Sequence, residues 1–292
     1  MTAHDQSDPT SPVRVAFFLN LGFTILEVIG GLWTNSLAIL SDALHDLGDS
    51  VSIGVAWYLE RLSAKGKNRR FSYGYRRLSL LASLITATVL LSGALFVLTE
   101  AIPRLIRPQH SNAQGMLLFS IVGIVVNGVA AFRLRGGKTM NARMIAWHLV
   151  EDVLGWVAVL VVSLMLLLRD IHILDPILSI LIMVYVLYNV ARNLRETVAL
   201  FLQAVPGSLD IDAIEQRLRA IPEVRSMHHT HIWSLDGQHH VLTTHVVVAE
   251  ATPKDRILRV KRAFKDIAEG IGLEHTTLEV EYEDEDCLMK DT

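Results

Sequence analysis

LAILSDALHDLGDSVSIG, residues 37–54, is an apolar stretch interrupted by four ionisable side chains, Asp42, His45, Asp46 and Asp49. At 100° per residue these positions fall within roughly a 100° arc of a helix, a single stripe. An acid carried into bilayer hydrocarbon costs roughly 2.5–3.5 kcal/mol, so the stripe must avoid lipid and face other helices or internal water. A second stretch has the same design: AWHLVEDVLGWVAVL, residues 146–160, places His148, Glu151 and Asp152 on one stripe that Gly155 continues. Five such acids facing lipid would cost on the order of 12–17 kcal/mol, so the two stripes are expected to turn inward, toward each other or a cavity.

The rest of the chain fits a membrane setting. Of its 292 residues 51% are hydrophobic, and its mean hydropathy is +0.37, too apolar for a wetted globular surface. Apolar runs of about 20 residues, enough to span roughly 30 Å of hydrocarbon, occur near 13–33, 37–59, 78–102, 115–134, 144–168 and 172–193. Arg61, Lys65, Lys67, Arg69, Arg70, Arg76 and Arg77 lie between the second and third runs, and Arg133, Arg135, Lys138 and Arg143 between the fourth and fifth. The opposite loops hold only Arg104, Arg107 and Arg169, so the positive-inside rule puts both basic loops and both termini in the cytoplasm. The net charge of -3, with its bases clustered in loops, gives no nucleic-acid footprint. Residues 1–12, MTAHDQSDPTSP, lack the apolar core of a signal peptide and are expected to form a disordered cytoplasmic arm. The single cysteine, Cys287, excludes an internal disulfide.

Beyond the membrane region, taken as 13–200, the composition turns charged and alternating, marking a separate cytoplasmic domain over 206–292. Ile211, Ile214, Leu218 and Ile221 recur at helical spacing, and two alternating runs, 224–235 and 239–249, flank the hairpin signal Asp236-Gly237. Thr252 and Pro253 open a second helix, with Asp255 placed to complete a capping box, and Gly270 and Gly272 mark its end. A strand over 276–282 completes an α-β-β-α-β order, the pattern of an α/β ferredoxin-like module.

His-x-x-x-Asp puts an imidazole and a carboxylate one turn apart, so His45 with Asp49 and His148 with Asp152 can offer two nitrogens and two oxygens from facing helices. That set suits tetrahedral zinc, with cobalt, iron and cadmium possible; calcium and magnesium prefer oxygen shells and copper(I) prefers sulfur. The alternative is that the stripes hold the bundle together by hydrogen bonds alone. Asp42, Asp46 and Glu151 beside the ligands can orient imidazoles or line the access path. Asn20, Glu27 and Asn127 are accounted for by interhelical hydrogen bonds. His228, His229, His231, His239, His240, His245 and His275, with Glu281, Asp284, Asp286 and Cys287, point to a second metal site in the tail, against the alternative of exposed histidines without a ligand. No His-Glu-x-x-His motif supports a metallohydrolase, and no G-x-x-x-x-G-K-S/T loop supports an ATP-driven pump. A membrane metal sensor, reading zinc through the tail without vectorial transport, is the rival reading.

The chain resembles the cation diffusion facilitator transporters. The resemblance rests on Glu27-Val-Ile-Gly-Gly, SLAILSDALHDLGDS, FSYGYRR at 71–77, HLVED, DPILSILI, HTHIWSL and TTHVVV, and covers about 13–283. It implies a homodimer that exchanges cytoplasmic zinc or related metals for protons, with no prosthetic group and no enzymatic activity. It carries the transport site onto His45, Asp49, His148 and Asp152, and a tail site onto His228, His245 and Glu281. The reading His228-His229-Thr230-His231, where many relatives have His-Asp-Leu-His, leaves the tail ligand set open. The short basic loop between helices four and five, in place of a histidine-rich one, fits a protein of the bacterial inner membrane.

Overall fold

The computed structural model describes residues 11–63, 67–134 and 140–287. Residues 1–10 of the expected arm, with Lys65, Arg135 and Lys138 of the basic loops, lie outside these. The chain divides into two compact units, Met1–Lys65 with Ala82–Leu194, and Gly66–Leu81 with Arg195–Thr292.

The first unit is built from six helices: α1 (Ser11–Thr34), α2 (Leu37–Ser63), α3 (Leu78–Ile106), α4 (Ala113–Leu134), α5 (Met140–Arg169) and α6 (Leu174–Phe201). Each is long enough to cross hydrocarbon at 1.5 Å per residue. Five of them are also apolar enough, and α2 falls short. The reason is the stripe itself, since Asp42, Asp46 and Asp49 depress its hydropathy while Asp42 and Asp46 are buried against protein. Leu19, Leu26, Trp33, Phe96, Phe132, Leu154 and Leu181 are each more than half exposed, an outer surface suited to lipid.

Two apolar clusters hold the bundle. Ala38, Ile39, Met116, Trp156, Val159, Val162 and Leu166 join α2, α4 and α5, and Ala87, Ala94, Val97, Met183, Val186 and Val190 join α3 and α6. Gly123 of α4 admits the Trp156 ring: a Cβ there would lie 2.2 Å from its Cδ2, and the ring is 1% exposed. Gly123→Ala is therefore expected to overpack the α4–α5 contact by about 1–3 kcal/mol. A lowered thermal midpoint of the detergent-solubilised protein would register it.

The end of α2 nearest α6 has a composite cap. The Ser36 hydroxyl accepts from Ile39 N (3.3 Å), and the buried Asp175 carboxylate, from α6, accepts from Ser36 Oγ (2.5 Å), Leu37 N (2.8 Å) and Ala38 N (3.3 Å). These are donors that a helix start leaves orphaned, and a negative charge also complements its dipole. On the α1 side, Asn20 Nδ2 donates to Asp46 O (3.0 Å) and Ser50 Oγ (2.9 Å), the interhelical role expected of it. Glu27 meets another acid, Asp46 of α2, so an interhelical hydrogen bond there requires one of the two carboxyls to carry a proton. Among the described residues no donor reaches the Glu27 oxygens otherwise, and the Asn127 amide nitrogen is buried without a hydrogen-bond partner.

The second unit contains α7 (Ile211–Arg219), β1 (Val224–Ser234), β2 (His240–Val248), α8 (Lys254–Gly270) and β3 (Leu273–Tyr282). β1 pairs antiparallel with β2, and β2 parallel with β3 through the α8 crossover, giving the sheet order β1-β2-β3. Ile214 and Leu218 of α7 and Val260, Phe264 and Ala268 of α8 share one core with Met227, Ile232, Leu242 and Val246, so both helices cover the same sheet face. This is the ferredoxin-like arrangement. Asp210 caps α7 through Ala213 N (3.1 Å). The capping box of α8 does not form, because its N-cap is Pro253, which has no side-chain acceptor, and Thr252 lies one position too early.

The loop carrying FSYGYRR belongs to this unit. Arg76 pairs with Glu274, and the Tyr73 ring meets His275 edge-on at 5.2 Å. Between β1 and β2, Asp236 Oδ1 accepts from Gln238 N (3.0 Å) and His239 N (2.9 Å), its Oδ2 meets His239 Nδ1 at 2.6 Å, and Gly237 takes φ 95°. Burial pushes the Asp236 carboxyl up, but these N–H groups and the His239 ring outweigh it and hold the group below its ordinary 3.8. A carboxyl lowered on folding stabilises the fold above its unfolded value and loses that contribution as pH falls through the folded one. In full-length protein, Asp236→Ala is thus expected to speed amide exchange over 224–248 at neutral pH, with a shallower further increase below about pH 4.

Candidate metal centre

The α2 and α5 stripes face each other inside the first unit. His148 Nε2 lies 2.9 Å from Asp49 Oδ2 and 4.0 Å from Asp152 Oδ2, while His45 Nε2 lies 3.9 Å from Asp49 Oδ2. The two imidazole centroids are 5.8 Å apart. Nitrogen and oxygen atoms bound to one tetrahedral zinc at about 2.0–2.1 Å stand roughly 3.3 Å from each other, which the observed separations bracket. A donor atom each from His45, His148 and Asp152 can be drawn within 4.8 Å of one another. Asp49 is not in that set; it touches His148 at 2.9 Å and lies 3.9 Å from His45.

Local sequence explains the placement. The four-residue spacing stacks His45 over Asp49 and His148 over Asp152, and Gly155 faces Asp42 of α2, where an added Cβ would make an ordinary contact of 3.4 Å with Oδ1. A cavity of about 350 Å³ opens beside the group, lined by Asp42, His45, Glu151, Asp152, Gly155 and Tyr185 among others. The His45, Asp49 and His148 side chains keep 27%, 29% and 39% of their surface exposed, against 9% for Asp152, so the group is reachable from a water-sized space.

In the tail, strand register assembles a second cluster. His228 of β1 pairs directly with His245 of β2, and Glu281 of β3 lies diagonally across. Glu281 Oε1 is 2.7 Å from His245 Nδ1, its Oε2 is 3.1 Å from His228 Nε2, and Cys287 Sγ is 3.9 Å from His245 Nδ1. Burial would raise the Glu281 carboxyl, but bonds from His245 and Cys287 and the nearby imidazoles prevail and hold it below its ordinary 4.5. His229 takes φ 49° at an irregularity in the β1–β2 register, and His239 and His275 lie instead around Glu274. The ring of His229 still comes within 5.3 Å of His245.

A third grouping, His110, Asp170 and His172, joins the α3–α4 and α5–α6 loops and gives no periodic signal in the sequence. Ser111 N donates to His172 Nδ1 (3.3 Å), which fixes the ring proton on Nε2 facing Asp170 Oδ1 (2.8 Å). A metal at Nε2 needs the proton on the other nitrogen, so this network is wired as a loop fastening.

Six long helices around an internal imidazole and carboxylate group, followed by a ferredoxin-like tail, define a helical membrane protein with a separate α/β domain. Residues 13–202 match the cation efflux transmembrane domain and residues 206–283 the cation efflux protein cytoplasmic domain. The chain therefore belongs to the cation efflux family, the cation diffusion facilitators, a family of transporters and not of enzymes. Relatives include the zinc transporter ZitB of Pectobacterium atrosepticum, 34% identical over 285 residues, covering 96% of this chain and 88% of the relative. The cadmium, cobalt and zinc/H(+)-K(+) antiporter of Bacillus subtilis is 30% identical over 284 residues, covering 96% and 91%. The metal cation efflux system protein CzcD of Cupriavidus metallidurans is 29% identical over 272 residues, covering 92% and 85%.

Proposed function

We propose that this protein exports zinc, with cadmium, cobalt and iron as further candidate substrates, in exchange for protons, and that His45, Asp49, His148 and Asp152 bind the metal in transit. The observation that carries the reading is His148 Nε2 set between Asp49 and Asp152 beside a cavity, with the His45 ring facing it. Two imidazoles and two carboxylates offer a neutral-nitrogen, anionic-oxygen set suited to a borderline divalent cation. The names of the relatives, a zinc transporter and a cadmium, cobalt and zinc antiporter, point the same way.

Metal binding requires the imidazoles unprotonated at the bonding nitrogen and the carboxylates ionised, so metal and protons compete. Loading from the cytoplasm releases protons, and a more acidic far side favours protonation of the imidazoles and release of the metal. Rocking of helix groups about the midplane site supplies alternating access. His228, His245 and Glu281, with Cys287 as a fourth neighbour, form a tail site that couples metal to the packing of two tails in a homodimer. In this reading the protein resides in a bacterial inner membrane, with both termini on the cytoplasmic side that the basic loops favour.

Zinc flux into proteoliposomes, with and without an imposed pH gradient, tests this. Flux that rises with the gradient supports exchange. Stoichiometric zinc binding at the tail with no flux under either condition would favour the sensor reading.

A further inference from the structure

Glu27 is 1% exposed on α1, and among the described residues neither carboxyl oxygen meets a hydrogen-bond donor. An uncompensated carboxylate in that position costs several kcal/mol, which a leucine or glutamine of similar size would avoid. Its surroundings offer no relief. The charged groups that face it are Asp46 and Asp42 of α2 and Asp152 of α5, with the Asp46 carboxyl the closest. From Ala113 to Phe132, α4, the other helix packed against α1, carries no acid, base or histidine. Asn20 and Thr24, on the same face of α1, are already engaged with α2 and Ser50. Among the described residues Glu27 belongs to no group of donor atoms gathered closely enough to hold a metal ion. A proton needs only one oxygen to sit on and another to point toward.

We propose that Glu27 is a proton-binding site of this transporter, a buried carboxyl that holds a proton while the neighbouring metal site is empty and releases it when a divalent cation arrives. Rested on the proton-exchange reading above, it names a residue outside the metal-binding set that carries counter-ion. With the site empty, the acids of α2 and α5 repel a further negative charge, and Glu27 stays neutral. A cation bound by His45, Asp49, His148 and Asp152 brings two positive charges beside that patch and makes an ionised Glu27 tolerable. The O–H bond then breaks, its electron pair stays on the carboxylate oxygen, and the proton leaves to water in the cavity. Retaking the proton after the metal departs restores the neutral acid.

The test counts protons released when zinc is added to the detergent-purified full-length protein, using a pH indicator, for the native chain and for Glu27→Gln. Glutamine keeps the shape and neutrality of the acid, so a purely structural Glu27 predicts the same count. The proposal predicts about one proton fewer per zinc, and a zinc affinity whose dependence on pH is shallower by about tenfold per pH unit. Equal counts in the two proteins, with protons released in both, would overturn the Glu27 assignment and leave proton exchange standing. No release by the native protein would remove proton exchange and this proposal together. If Glu27→Gln does not fold, infrared difference spectra of native protein carrying carboxyl-13C glutamate decide the matter. A label-shifted carboxylic-acid band at neutral pH that disappears on zinc addition is expected, and its absence before zinc would overturn the proposal.

Discussion

Asp49→Ala is expected to lower zinc flux in proteoliposomes by more than about 100-fold, to the background of empty vesicles. Loss of a group that merely supports a metal ligand costs 10–100-fold in affinity or activity, and Asp49 is proposed as a ligand itself. Its Oδ2 is the atom shared by the two helices, 2.9 Å from His148 and 3.9 Å from His45, so its removal takes away a donor and the bridge between the two stripes. His148→Ala should fall nearly as far. Asp46→Asn, which leaves all four proposed ligands in place, should retain measurable flux. Size-exclusion profiles matching the native protein would show that the losses arise at the site and not from misfolding.

Asp175→Ala is expected to destabilise the membrane unit by roughly 3–5 kcal/mol, since bonds to a charged acceptor contribute about 1.5–3 kcal/mol each and the abandoned Leu37 N–H stays buried. For a unit of this size that corresponds to a fall of roughly 6–20 °C in the unfolding midpoint. The damage falls on the start of α2, the helix that carries His45 and Asp49, so flux should drop with stability. Asp175→Asn keeps an oxygen that can accept from Leu37 N or Ser36 Oγ and should fall between. Ser36→Ala, which removes the hydroxyl that caps Ile39 N and donates to Asp175, should cost about 1 kcal/mol. Thermal unfolding in detergent, followed by tryptophan fluorescence, ranks the three.

Periodicity made α2, α5 and their stripes legible, because burying acids in a membrane helix permits few arrangements. The facing of His45 and His148 followed from the same constraint. The tail order was readable from alternation and from Asp236-Gly237, although the turn occupies the whole stretch from Leu235 to His239 between the two strands. What escaped were contacts between distant positions. Asp175 caps a helix 138 positions earlier in the chain, and no local pattern announces such a partner. Glu27 reads as an ordinary interhelical hydrogen bonder, and only the packed helices show that carboxyls are what face it. The α8 capping box failed by one position, because a proline at the N-cap satisfies the backbone angles but offers no oxygen. His110 and His172 meet through two loops whose sequences carry no spacing relation.

Zinc K-edge X-ray absorption of the full-length protein, with tail donors removed by His228→Ala, His245→Ala and Cys287→Ser, reads the coordination of the membrane site itself. Bound zinc with four nitrogen and oxygen neighbours at about 2.0–2.1 Å, at least two of them imidazoles, is expected, with loss of that signal in Asp49→Ala. Six oxygen neighbours, or an unchanged spectrum and zinc content after Asp49→Ala, would contradict the proposed site.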